Sequence, residues 1–158
     1  MTFTAQKDVI RAATAGDEEE LFDLISDFYI KKFGEMGLGF KKESVMPIIR
    51  TLIENHIIFV CTNDGKIVGG IGGVIVPWSF DPNELMFQET AWFVKEENRG
   101  SKVFLRLFNV MEDYCKEMGI KYIAMGSLGN YRDNILCNFY SRKGYKHYET
   151  LYIKSLGG

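Results

Sequence analysis

No run in this 158-residue chain approaches the roughly 18 apolar residues of a membrane span. The amino terminus also lacks the basic-then-apolar layout of a signal peptide. Little charge is left over: 19 Lys and Arg against 21 Asp and Glu leave a net −2. Nothing therefore draws the whole molecule to nucleic acid or to an anionic membrane, and any anion site must be local. Histidine is scarce, with only His56 and His147. The three cysteines at 61, 115 and 137 have no metal-ligand spacing, so no metal site is expected. Free thiols in odd number suit a reducing cytoplasm. Repeats and low-complexity tracts are missing too. What remains is 46% apolar and 25% charged, the balance of a soluble globular protein, and the length fits a single domain over 1–158.

Residues 8–13, rich in branched side chains, read as a short first strand. Thr14 with Asp17 three residues on makes a capping-box-like helix start. The acidic run 17–20 falls in that first turn, where the helix dipole favours it, and reads as a solvated face. Leu21, Leu24, Ile25 and Phe28 carry the buried side. After a flexible break at 34–39, a second helix is expected from about Ser44, with Pro47 tolerated in its first turn. His56–Cys61 is a strand and Asn63-Asp64-Gly65 a tight hairpin turn. The returning strand over 66–76 is glycine-rich. No helix follows Gly73, so these glycines mark a bulge or a close backbone approach rather than a phosphate loop. Residues 77–82 read as a turn.

Everything else is organised around Glu89–Met118. Gln88–Val94 is a buried strand, 95–101 a polar turn containing Gly100, and from Lys102 the period changes. Phe104, Leu107, Phe108, Met111, Tyr114, Cys115 and Met118 form one apolar helical stripe, ended by Gly119. A strand, a polar glycine-containing turn and a helix make a place for an anion. First-turn N–H groups lack partners, the dipole adds positive charge, and Arg99 and Lys102 bring two cations. Lys121–Met125 is a further strand, parallel to 85–94 if the crossover is right-handed. A loop over 126–131 leads to a short helix from Arg132 to Arg142, and 145–153 reads as a last strand or hairpin. The expectation is an α/β fold: one mixed sheet, helices on both faces, one domain.

Three segments, in order and with the right element between each pair, give this chain a likeness to a known family. They are Ile10-Arg11-Ala12-Ala13, then Trp92-Phe93-Val94 through Arg99-Gly100-Ser101, then Asn138-Phe139-Tyr140 on to Gly144-Tyr145. The sequence resembles the Gcn5-related N-acetyltransferase family over almost its whole length, in a pattern similar to small bacterial and bacteriophage members. The resemblance implies an N-acetyltransferase that moves an acetyl group from acetyl-CoA to a primary amine by direct attack. The acceptor would be a small molecule or a peptide end. It implies that the cofactor arm lies between two splayed central strands, with its pyrophosphate on the turn at 99–104. Cofactor contacts would come from Phe93, Val94, Arg99, Gly100, Ser101, Lys102, Val103, Phe104, Asn134 and Asn138. Of the family's pyrophosphate pattern only Gly100 is kept. Glu97 and Lys102 replace the usual residues, and Phe104 stands where a glycine is common. Phe104 is expected to turn into the core.

Tyr140 matches the family's tyrosine near the sulfur and is the candidate proton donor. Glu89 is the candidate base, its alternative being water. Gln88 must point to the opposite face. The family's asparagine position falls on Asp133, with Asn134 beside it. Cys137 has no histidine in evident relation to it, and His56 and His147 read as packing or surface residues. The partners expected are an amine substrate and a second copy in a homodimer, with neither nucleic acid nor membrane. Two other readings stay open: a catalytically silent acyl-CoA-binding or interaction module on the same fold, and an unrelated α/β nucleotide binder.

Overall fold

A computed structural model of the chain describes residues 8–127 and 133–157. Five strands form one sheet in the order β1 (Val9–Ala12), β2 (Ile57–Asn63), β3 (Lys66–Trp78), β4 (Asp81–Val94), β5 (Tyr122–Ala124). All neighbours are antiparallel except β4 and β5, which run parallel. The helices are α1 (Glu18–Phe33), α2 (Lys42–Asn55), α3 (Val103–Glu117) and α4 (Asp133–Arg142). This is the mixed α/β architecture in one domain that the pattern predicts.

The helices cover both faces, and each face has its own core. On one, Leu21 of α1 and Ile49 and Leu52 of α2 meet Ile58, Val60, Ile67 and Phe93. On the other, Val103, Leu107, Phe108, Met111 and Cys115 of α3 meet Cys61, Val68, Ile71 and Phe87. The helical stripe read from the sequence is the buried face of α3. Gly119, at φ 69°, ends it, with the Ile120 N–H donating to the Cys115 carbonyl at 2.9 Å.

The glycines of β3 let the sheet change step. Gly72 pairs with Ala91 but Gly73 pairs with Glu89, so Thr90 is an extra residue on β4. A Cβ on Gly73 would collide with the Gln88 carbonyl and the Phe87 ring. The bulge resets the alternation. Phe87, Trp92 and Val94 all meet the α3 face, while Ala91 and Phe93 meet α1 and α2. The β2–β3 hairpin turns through Asp64 and Gly65, at φ 54° and 73°, the two left-handed positions that a two-residue loop needs.

Several elements differ from expectation. The last strand or hairpin at 145–153 does not form: no strand is present in 145–157. Alternation needs an edge to pair with, and β5 offers only three residues. The turn at 77–82 is shorter, because β3 runs to Trp78 and β4 begins at Asp81. Pro77 pairs with Leu85 inside the ladder. Helix α2 starts at Lys42, so Pro47 lies in the second turn, where it removes the bond to the Glu43 carbonyl. The acidic run is not merely a solvated face. Asp17 is buried and takes two bonds from Arg11, at 2.7 and 2.8 Å. Glu18 pairs with Arg50, Glu19 with Lys42, and Glu20 accepts the Ile67 N–H. Part of the loop expected at 126–131, and Arg132, lie outside the described residues.

Candidate active site

The parallel pair is short. Met86, Phe87 and Gln88 pair with Tyr122, Ile123 and Ala124, after which β5 ends and β4 continues alone to Val94. The next residue on β4 is Glu89. Its Oε2 accepts the Gly126 N–H at 3.0 Å, across the gap that β5 leaves. From α4, Tyr140 donates its hydroxyl proton to the Gly126 carbonyl at 2.6 Å. The Ser127 hydroxyl lies 4.0 Å from the exposed Cys137 thiol. The strand end, the bulge and α4 thus bring Glu89 and Tyr140 to one residue.

Burial pushes the Glu89 carboxyl up to about 7, against the Gly126 N–H, which favours the ionised form. A carboxyl there changes protonation near neutral pH, as a general base requires. Burial, then the Glu89 charge, push the Tyr140 phenol above its ordinary value, so it keeps its proton. Asp17 is the opposite case. Its bonds to Arg11, with further N–H and O–H donors from Thr14, hold it down at about 2.

A wall of rings stands beside this pair. Trp92 stacks on Phe104 at 3.7 Å between centroids and 13° between planes, and also meets Phe108, Phe139 and Tyr140. Phe104 does turn inward, as its place in the stripe predicts, and packs half-buried against the core. Trp92 was missed as a site residue, and its Nε1 is buried with no hydrogen-bond partner among the described residues. The strand alternation that puts Trp92 on the side of Val94 was the available signal.

The turn before α3 has the form of an anion cradle. Gly100 sits at φ 87° with open space around it. The N–H groups of Arg99 and Ser101 are used by the turn itself, and that of Val103 by Ser101 Oγ. Those of Gly100, Lys102, Phe104 and Leu105 find no acceptor among the described residues. Lys102 is exposed at the helix start. The Arg99 guanidinium folds back, donating to the Val94 carbonyl at 3.3 Å and pairing with Glu96 at 3.6 Å. Phe93, Val94 and Val103 are buried, so a ligand would meet their backbones only, and the Phe93 ring lies on the α1–α2 face. Asn134 and Asn138 are exposed on α4. Among the described residues, no group of three or more His, Cys, Asp or Glu is placed to hold a metal ion. Among them, too, no helix is long and apolar enough to cross a membrane.

The family model of the acetyltransferase (GNAT) domain matches residues 9–148. The chain belongs to the GNAT acetyltransferase family. No curated protein matches it at a significant level. Solved structures share the fold at low identity. One is an aminoglycoside acetyltransferase from an uncultured soil metagenomic sample, in complex with sisomicin (TM-score 0.72, 15% identity, 95% of this chain and 97% of that one). Another is a ribosomal-protein-alanine N-acetyltransferase from Brucella melitensis biovar Abortus 2308 (0.70, 16%, 96% and 100%). A third is a predicted acetyltransferase with acetyl-CoA from Clostridium acetobutylicum (0.73, 13%, 95% and 97%). Membership makes the protein an acyltransferase of a family that uses acetyl-CoA.

Proposed function

We propose that this GNAT protein transfers the acetyl group of acetyl-CoA directly to a primary amine, of a small molecule or of a peptide. The observation that carries the reading is Glu89, a half-buried carboxyl one residue past the last β4–β5 pair, with its Oε2 on the Gly126 N–H. In the proposed reaction Glu89 removes a proton from the bound ammonium and passes it to solvent. The free amine attacks the thioester carbonyl, the C–N bond forms, and the C–S bond breaks. Tyr140 gives its proton to the departing sulfur and is reprotonated by the one leaving the nitrogen. The products are the amide and CoA thiol. Donation by Tyr140 requires its proton to leave the Gly126 carbonyl that holds it in this structure.

For the substrate side, the free N–H groups of Gly100, Lys102, Phe104 and Leu105 fit a pyrophosphate, with Lys102 adding charge at the helix start. Melting with acetyl-CoA, CoA and ATP, together with thiol release from acetyl-CoA over a panel of amines, tests the reading. The expected result is stabilisation by both CoA compounds and thiol release with at least one amine. Stabilisation without release, over a wide panel, would replace it with a silent acyl-CoA-binding module. No stabilisation by either CoA compound would sink both.

A further inference from the structure

Gly126 is gripped on both sides of its α-carbon. Glu89 Oε2 accepts its N–H at 3.0 Å, and the Tyr140 hydroxyl donates to its carbonyl at 2.6 Å. These atoms belong to two different peptide groups. What joins the bonds is therefore the position of the backbone, not polarisation through one amide. β5 has already ended at Ala124, so no ladder bond holds this residue. A Cβ on Gly126 would stand 3.2 Å from Glu89 Oε2, closer than side chains normally approach. The missing side chain is what lets the backbone come this near the carboxylate.

We propose that Tyr140 is a positioning residue for Glu89, holding the Gly126 N–H against the carboxylate by anchoring the Gly126 carbonyl from α4. This role is additional to proton donation, and its bearing on catalysis rests on the reading of Glu89 as the base. The physical consequence has a definite sign. A hydrogen bond to a carboxylate favours its charged form. If the anchor is lost, the Gly126 N–H drifts, the charged form loses its donor, and the carboxyl releases its proton only at higher pH. Among the described residues, Tyr140 and, beside it on α4, Cys137 are the ionisable groups that face this corner, and the Tyr140 phenol, raised by burial, keeps its proton. Gln88 and Thr90 on β4 do not ionise. Among the described residues, no cation is placed to offset the loss. The phenol ring itself packs on Trp92, Phe139 and Tyr145, so its removal and the removal of its hydroxyl are separable changes.

The test reads Glu89 directly, by a 13C NMR titration of its side-chain carboxyl in the whole chain without substrate. Tyr140→Phe and Tyr140→Met both lack the hydroxyl, and each should raise the Glu89 midpoint by roughly half to one pH unit, the size of a weakened charge-assisted bond. Phe139→Leu disturbs the same ring cluster but keeps the anchor, and should leave the midpoint in place. An unmoved midpoint in both Tyr140 variants, or an equal shift in Phe139→Leu, overturns the proposal. Where either Tyr140 variant fails to fold, the other decides. The base reading fails in a different way: Glu89→Gln would then keep full thiol release from acetyl-CoA while the Tyr140→Phe titration still moved.

Discussion

Asp17 and Glu89 are two partly sheltered carboxyls that each accept a backbone N–H, yet they are held at opposite ends of the carboxylate range. Asp17, at the turn into α1, meets the Arg11 guanidinium at 2.7 Å and stays ionised down to about 2. Glu89, where β4 leaves β5, has a single N–H donor among the described residues and is pushed up to about 7 by burial. Burial acts on both in the same direction, and Asp17 alone has a guanidinium, with the Thr14 hydroxyl as a further donor, to overcome it. One region spends its acidic groups tying α1 to the sheet and to α2. The other keeps a carboxyl short of partners, a condition that costs stability and suits proton transfer.

Gly73→Ala should have the largest effect. The added methyl meets the Gln88 carbonyl, a backbone atom that cannot move without undoing the β3–β4 register that presents Glu89. A loss of about 3 kcal/mol or more in urea unfolding is expected. Wild-type stability would mean that the bulge can relocate, and with it Glu89.

Glu89→Gln comes next. It should lower turnover about a hundredfold or more, since the proposed base is gone while the amide oxygen can still accept the Gly126 N–H. It should also stabilise the fold, with a sign set by pH. A carboxyl raised in the folded state favours folding below its unfolded value, near 4.5, and that contribution is lost as pH rises through about 7. The glutamine variant should therefore melt higher than wild type at pH 8 and show no gain near pH 4.5. Equal melting temperatures at pH 8 would show that Glu89 is better solvated than its surroundings imply.

Arg11→Ala should cost about 2 kcal/mol at pH 7, because it strands the Asp17 carboxylate. Asp17 is lowered in the folded state, so its contribution is present above its unfolded value near 3.8 and is lost as pH falls through about 2. The two proteins should converge in stability only below about pH 2. A constant difference across that range would assign the effect to the packing of the arginine stem instead.

Much of the fold was legible before the structure. The stripe from Phe104 to Cys115 specified α3, Asp64-Gly65 specified a hairpin, and the glycines of β3 announced a bulge or close approach without saying where. These signals are local: each rests on a period or on a backbone conformation that few residues adopt. Tyr148, Leu151, Tyr152 and Ile153 misled for the same reason. They alternate loosely enough to read as a strand, but they remain exposed, because whether a strand forms depends on an edge elsewhere in the chain. The acidic run 17–20 looked like a solvated helix start because its cations, Arg11 on β1 and Lys42 and Arg50 on α2, lie on other elements.

By itself the sequence determined the element order, the mixed sheet, the apolar face of each long helix and the polar turn before α3. Those follow from spacing along one chain, which folding does not alter. Tertiary structure alone decided that Glu89 stands one residue past the last β4–β5 pair and that Gly126 closes on it. It decided as well that Tyr140 reaches the same glycine from α4 and that Trp92 stacks on Phe104. The physical reason is that a carboxyl's proton affinity is set by what surrounds it in space. For Glu89 those surroundings come from residues 37 and 51 positions away.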